Sequence, residues 1–323
     1  MQHILIGHRP DSSFTFAHIL SAMHMSKKFF FICLLVFGLF SLDSIAQALR
    51  EFEYIDAKGR TQMAGLVSLN HLKAEPYSKW FQKGYLEYFV EDKKAKKLGK
   101  YLKDMDIQVF MGTWCGDSKR EIPRLVRVLE VARIDPARVN YICVYSEPER
   151  RNISPTMEQK GRNIHHVPTI ILFKDGKEVG RVIESPLSSL EDDLLDIVSG
   201  EVYPTHYPAA EAMIGLVNKP MPAFSDSLGW AKIVSKIDSL NPRSPSELNA
   251  LARMYKIQSQ YEQEAYTLKL NSLLFSGFLA TKEKLAIALK NADNKAEARL
   301  VDEELLKEAE ELAKKAKERL SQE

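Results

Sequence analysis

The sequence predicts an α/β unit, a mixed sheet with helices on both faces over residues 88–200, followed by an all-α region over residues 223–323. Three observations predict it. Short apolar runs alternate with segments of helical periodicity from Glu91 to Val198. Lys174-Asp175-Gly176-Lys177 has the composition of a hairpin turn between two such runs. Beyond Pro222 the strand signals stop, and Leu251, Ala252 and Tyr255 recur at one constant spacing as Leu285, Ala286 and Leu289.

Taken in order, the chain opens with a segment outside this fold. Lys27-Lys28, the apolar run Phe29 to Phe40 and Ala46-Gln47-Ala48 are the parts of a secretory signal peptide. The run is short beside the ~20 residues of a membrane span, so an uncleaved membrane anchor is the alternative. Met1 to His24 is polar and mixed, which places the expected start at Met23 or Met25. Cleavage after Ala48 would export residues 49–323 to a periplasm or medium. Residues 49–87 form a lead-in with strand-like pieces and a Trp80-Phe81 pair.

Helical spacing runs from Glu91 to Asp104, with Leu98, Tyr101 and Leu102 on one side and lysines opposite. Ile107 to Met111 reads as a buried strand. Cys115 to about Val131 reads as a helix with Ile122, Leu125, Val126 and Leu129 on one face and a kink expected at Pro123. Val139 to Tyr145 is the next strand, and Thr156 to Gly161 a short helix. Ile170 to Phe173 and Glu178 to Ile183 are hairpin partners, and Leu187 to Val198 closes the unit as a helix. Residues 201–222 read as a linker. In the region beyond, the recurrence from Leu251 to Leu285 has the spacing expected of tetratricopeptide helix pairs, but it slips by one position at Ala265 against Ala298. A plain helical bundle is the alternative. The last helix, Glu303 to Leu320, carries an apolar face that predicts packing on a neighbour or pairing with a second copy.

Composition excludes little. Of 323 residues, 45% are apolar and 27% charged, ordinary for a globular protein, with room for roughly two domains. A net charge of +2 gives no reason to expect a nucleic-acid partner. Cys33 lies in the removed segment, so Cys115 and Cys143 are the cysteines of the exported chain.

Cys115 stands where a buried strand gives way to a helix. Free N–H groups and the helix dipole there favour negative charge on sulfur. Residues 109–118 read Val-Phe-Met-Gly-Thr-Trp-Cys-Gly-Asp-Ser; Pro123 follows, then Val-Pro-Thr at 167–169 and Leu-Phe-Lys-Asp-Gly-Lys at 172–177. This ordered set resembles the thioredoxin superfamily over roughly residues 88–200. The resemblance implies that Cys115 is the nucleophile, with Trp114, Gly116 and Asp117 beside it and Met111, Gly112 and Thr113 at the rim. It also implies a cis Pro168 facing the sulfur, with Val167 and Thr169 completing a substrate-binding edge. The alternative for Pro168 is a strand-edge proline.

Two departures separate this chain from the family pattern. Ser118 stands where a second cysteine is usual, and Val109 where a buried acid is common. Three residues on along a helix, Ser118 is expected to turn its hydroxyl toward the Cys115 sulfur. Lys119 and Arg120 support a thiolate, and Asp117 opposes it. Attack on a disulfide would give a mixed disulfide that Ser118 cannot release. Release would fall to a thiol of the client protein or to a small thiol; otherwise the client stays trapped. Cys143, mid-strand, reads as a core residue rather than the missing resolver.

His165 and His166, adjacent on an extended segment, should point to opposite sides and not share a metal; either could face the thiol. No metal or cofactor is implied. The resulting expectation is an exported thiol–disulfide exchange protein whose partners are cysteine-containing clients or small thiols. The alternative is a non-enzymatic binding module using the fold as scaffold and the helical region as partner surface.

Overall fold

The computed structural model describes residues 51–201, 203–242 and 244–320, all within one unit, Leu49–Glu323. The signal-peptide expectation falls on residues 27–48, outside the described residues. Six strands form one mixed sheet: β1 (Glu51–Ile55), β2 (Thr61–Val67), β3 (Asp106–Met111), β4 (Val139–Cys143), β5 (Thr169–Lys174) and β6 (Lys177–Ile183), in the order β1-β2-β4-β3-β5-β6. Only the β3–β4 pair is parallel. A parallel pair needs a crossover, which the helix Gly116–Val131 supplies. The lead-in is thus part of the sheet: Thr61–Val67 pairs with β4 and carries β1 on its outer edge.

Strand periodicity divides the core in two. Ile107, Val109 and Met111 face one way with Tyr141, Cys143, Ile170 and Leu172. That face is covered by α1 (Ser78–Glu87), α2 (Asp92–Leu102), α3 (Gly116–Val131) and α4 (Leu190–Ser199), which bring Phe81, Leu98, Leu125 and Leu194. Phe110, Ile142, Ile171 and Phe173 face the other way. Burial on both sides explains why these strands read as continuous apolar runs.

The second face differs from the expectation in what closes it. Its apolar cluster is closed by Ile164 and Val167 from the irregular crossover between β4 and β5. The helix expected over Thr156–Gly161 is a series of turns. Met157, Gly161 and Asn163 adopt positive φ of 64°, 73° and 54°. Ser154 Oγ accepts the Glu158 N–H at 3.1 Å, and Gln159 Oε1 accepts the Ser154 N–H at 3.0 Å. Side chains satisfying backbone donors locally remove the reason to form a helix.

One close approach sets how α2 lies on the end of α3. A Cβ at Gly99 would stand 2.3 Å from the Ala132 carbonyl oxygen, a backbone atom that cannot rotate away. Alanine in a helix interior usually gains up to ~1 kcal/mol over glycine. Here Gly99→Ala is expected to cost about 1–3 kcal/mol through overpacking, seen as a lower urea midpoint at unchanged slope.

The segment 201–222 is not a bare linker, because Pro208–Val217 is a helix, α5, started by a proline at its first turn. It packs Ala209, Ala210 and Met213 against Trp230 of α6 (Ser227–Asp238). Then follow α7 (Pro245–Ile257), α8 (Tyr261–Leu274), α9 (Leu279–Asn291) and α10 (Lys295–Leu320). The pair α7–α8 repeats as α9–α10: Pro245 to Leu279 and Tyr261 to Lys295 are equal steps along the chain. Their turns match as well. Ser259 and Asp293 both have φ of 58°. Gln260 N–H donates to Tyr255 O at 2.9 Å, as Asn294 N–H does to Leu289 O at 2.8 Å. The backbone repeat places Glu264, not Ala265, opposite Ala298. Along α10, Val301 is buried and Leu305 packs beside it, whereas Leu306 and Leu312 are exposed. Among the described residues no helix is long and apolar enough to cross a membrane.

Candidate functional site

β3 ends at Met111 and the chain turns tightly into α3. Cys115 N–H donates to Gly112 O at 2.9 Å, and Gly112 N–H donates to Ser118 Oγ at 3.1 Å. Cys115 is the N-cap of α3, with extended φ/ψ of −86° and 130°. The turn is braced by β2: the Thr113 hydroxyl donates to Gln62 Oε1 at 2.8 Å and accepts the Met63 N–H at 3.0 Å. Gln62 in turn donates to Asp56 at 3.0 Å. This bracing gives the lead-in a structural purpose that its weak periodicity did not disclose.

Trp114 lies across Gly112, where a Cβ would come within 2.5 Å of the indole. Its Nε1–H donates to Val144 O at 2.9 Å. The Arg151 guanidinium stands 4.2 Å from the ring centroid, at cation–π distance. Trp114 and Cys115 both pack against the second-face cluster.

Cys115 is half-buried, and its Sγ–H donates to Val167 O at 3.2 Å. The Val167–Pro168 bond is cis. Pro168 O accepts the Glu184 N–H at 2.7 Å, and the Thr169 hydroxyl donates to His166 O at 2.8 Å. The structure therefore brings Cys115, Trp114, Val167, Pro168 and Thr169 together. Gly116 is exposed, with open space where a side chain would stand. Asp117 is half-buried and paired with Arg120 at 2.8 Å, which offsets its charge beside the sulfur.

Ser118 differs from the expectation. It is fully buried, its oxygen is engaged by Gly112 N–H, and no hydrogen bond joins it to Cys115. A buried backbone donor left by the turn needs an acceptor, and Ser118 is the side chain within reach. Cys143 is fully buried on the helix-covered face, so the sheet stands between it and Cys115.

The histidines also differ from the expectation. His165 and His166 turn toward each other, Nδ1 to Nδ1 at 2.7 Å, because they lie in irregular chain ahead of β5 rather than in a strand. His165 Nε2 is 3.4 Å from Glu211 Oε1 on α5. His166 stacks on Tyr207 with centroids 4.1 Å apart. Burial, then the nearby charges of His165, Arg253 and Arg151, push the His166 imidazole down to about 3, so it is neutral at ordinary pH. Tyr207 donates to Glu184. Among the described residues no group of three or more His, Cys, Asp or Glu could hold a metal.

Comparisons of the chain with protein-family models, with curated proteins and with solved structures find no match. The site's reading therefore rests on its own geometry. Sequence reasoning missed Arg151, Gln62 and Tyr207. Each reaches the site from an element distant in sequence, and none lies in a short motif.

Proposed function

We propose that this protein is a thioredoxin-like thiol–disulfide exchange protein acting through Cys115 without a resolving cysteine. The observation that carries the reading is the pairing of a half-buried helix N-cap thiol with the Val167 carbonyl oxygen at 3.2 Å, while Cys143 is sealed behind the sheet. Deprotonated Cys115 attacks one sulfur of a client disulfide; a mixed disulfide forms and the other sulfur leaves as a thiolate. A second client thiol, or a small thiol, then attacks the mixed disulfide and regenerates Cys115. The Val167 carbonyl, released from the Cys115 S–H, becomes an acceptor for the backbone of the bound client. The signal-like segment supports export to an oxidising compartment, where such chemistry has substrates.

The test is incubation of the full chain with glutathione disulfide. The expected product is a reducible adduct on Cys115 and none on Cys143. Absence of an adduct on the folded protein, with labelling only after denaturation, would overturn the proposal. Ser118→Cys supplies the missing thiol within the turn. It is expected to release trapped mixed disulfides as an internal disulfide, measured as loss of the adduct without added thiol.

A second reading, a partner-binding module, is favoured by the two helix pairs repeating at one spacing, a period like that of tetratricopeptide repeats. It predicts that partner capture survives Cys115→Ala.

A further inference from the structure

The first helix pair contains a buried carboxylate that the second pair lacks. Glu264 holds the place that Ala298 fills in the next pair; it is 4% exposed, and its Oε2 has no hydrogen-bond partner among the described residues. It lines a cavity of about 250 Å³ between α7, α8 and α9, together with Asn249, whose buried Oδ1 is also unpartnered there. Two orphaned acceptors on one floor are costly unless a donor arrives. Around them stand Arg253, Lys256 and Lys284, and none of the three forms an ion pair with a described carboxylate. Leu268 supplies apolar wall.

We infer that this cavity binds a peptide segment carrying an acidic side chain, with backbone N–H groups donating to Asn249 and Glu264 and the acid held by Arg253, Lys256 and Lys284. An amide on the ligand matches Asn249 twice, since its Nδ2 donates where its Oδ1 accepts. Burial pushes the Glu264 carboxyl up to about 7, which lessens the negative charge of the floor at neutral pH, and the three rim cations leave the site net positive. A simple anion would satisfy the rim but leave both floor acceptors empty. A basic segment would satisfy Glu264 but face three cations.

The test uses the immobilised full chain and four cysteine-free octapeptide pools, randomised except for a central Glu, Gln, Leu or Lys. Without cysteine, retention is independent of thiol exchange, so this proposal and the one above can fail separately. The Glu pool should be retained about fivefold over the Gln pool, weakening with salt. Arg253→Glu or Lys284→Glu, both at exposed positions, should shift the preference to the Lys pool. Glu264→Ala, which installs the residue found at position 298 of the next pair, should reduce retention of every pool at unchanged circular dichroism. Equal retention of all pools, or a Glu preference that survives both charge reversals, would overturn the inference. So would displacement by inorganic phosphate alone at matched ionic strength, which would identify a simple anion site.

Discussion

Cys115→Ser is expected to abolish covalent capture of disulfide substrates, because Cys143, the other cysteine among the described residues, cannot substitute. Cys143 pairs with Met111 in the β3–β4 register and is fully buried on the helix-covered face. Reaching a substrate from there would require opening the sheet. Cys143→Ala should therefore leave capture intact within about twofold while lowering stability, since removing a buried sulfur leaves a small cavity. Mass spectrometry after exposure to glutathione disulfide reads the first effect, and urea unfolding the second. An adduct persisting in Cys115→Ser under native conditions would overturn the assignment of the nucleophile. Hydroxyl for thiol is a small change, and it keeps a donor for Val167 O, so loss of capture there would not reflect misfolding.

The second large effect is acid destabilisation through His166. Its imidazole falls from an ordinary 6.5 to about 3 in the folded state, driven first by burial against Tyr207 and then by His165, Arg253 and Arg151. Between those values the unfolded chain binds a proton that the native chain refuses, so stability is full above 6.5 and is lost as pH falls toward 3. At pH 4.5 the loss is on the order of 2–3 kcal/mol. Glu264 pulls the other way. Burial raises it from 4.5 to about 7, so the native state holds the extra proton and stability falls as pH rises across that window. Comparing His166→Gln with the native chain isolates the histidine: the variant should show a flatter decline from pH 6.5 to 4.5. Parallel declines in the two proteins would show that His166 does not titrate differently on folding.

Much of the sheet was legible because strand and helix periods are local. Ile107 to Met111, the helix after Cys115 and the Lys174–Lys177 hairpin stand where their spacing puts them, each within one or two residues. The segment Ser146–Asn163 was not, because its shape comes from side-chain bonds to the backbone at Ser154 and Gln159, which composition alone does not distinguish from a helix. The recurrence of one helix pair in the next was readable at Leu251 and Leu285. Its apparent slip at Ala265 was resolved only when the backbone showed that Glu264, a residue no apolar pattern would flag as buried, matches Ala298.

At the site the same division holds. A thiol at a strand-to-helix boundary, a serine three positions on and a proline in Val-Pro-Thr are written in the order of residues, because a motif spans only neighbours. The chain alone therefore determined which thiol stands at the start of the helix and that its turn contains no second one. What Ser118 does with its hydroxyl, which face hides Cys143, how His165 and His166 meet, and that β2 braces Thr113 were decided by contacts made only in the folded chain. Such contacts depend on which surfaces the folded chain must bury together and which backbone donors that burial leaves to be satisfied, and tertiary structure alone supplies those terms.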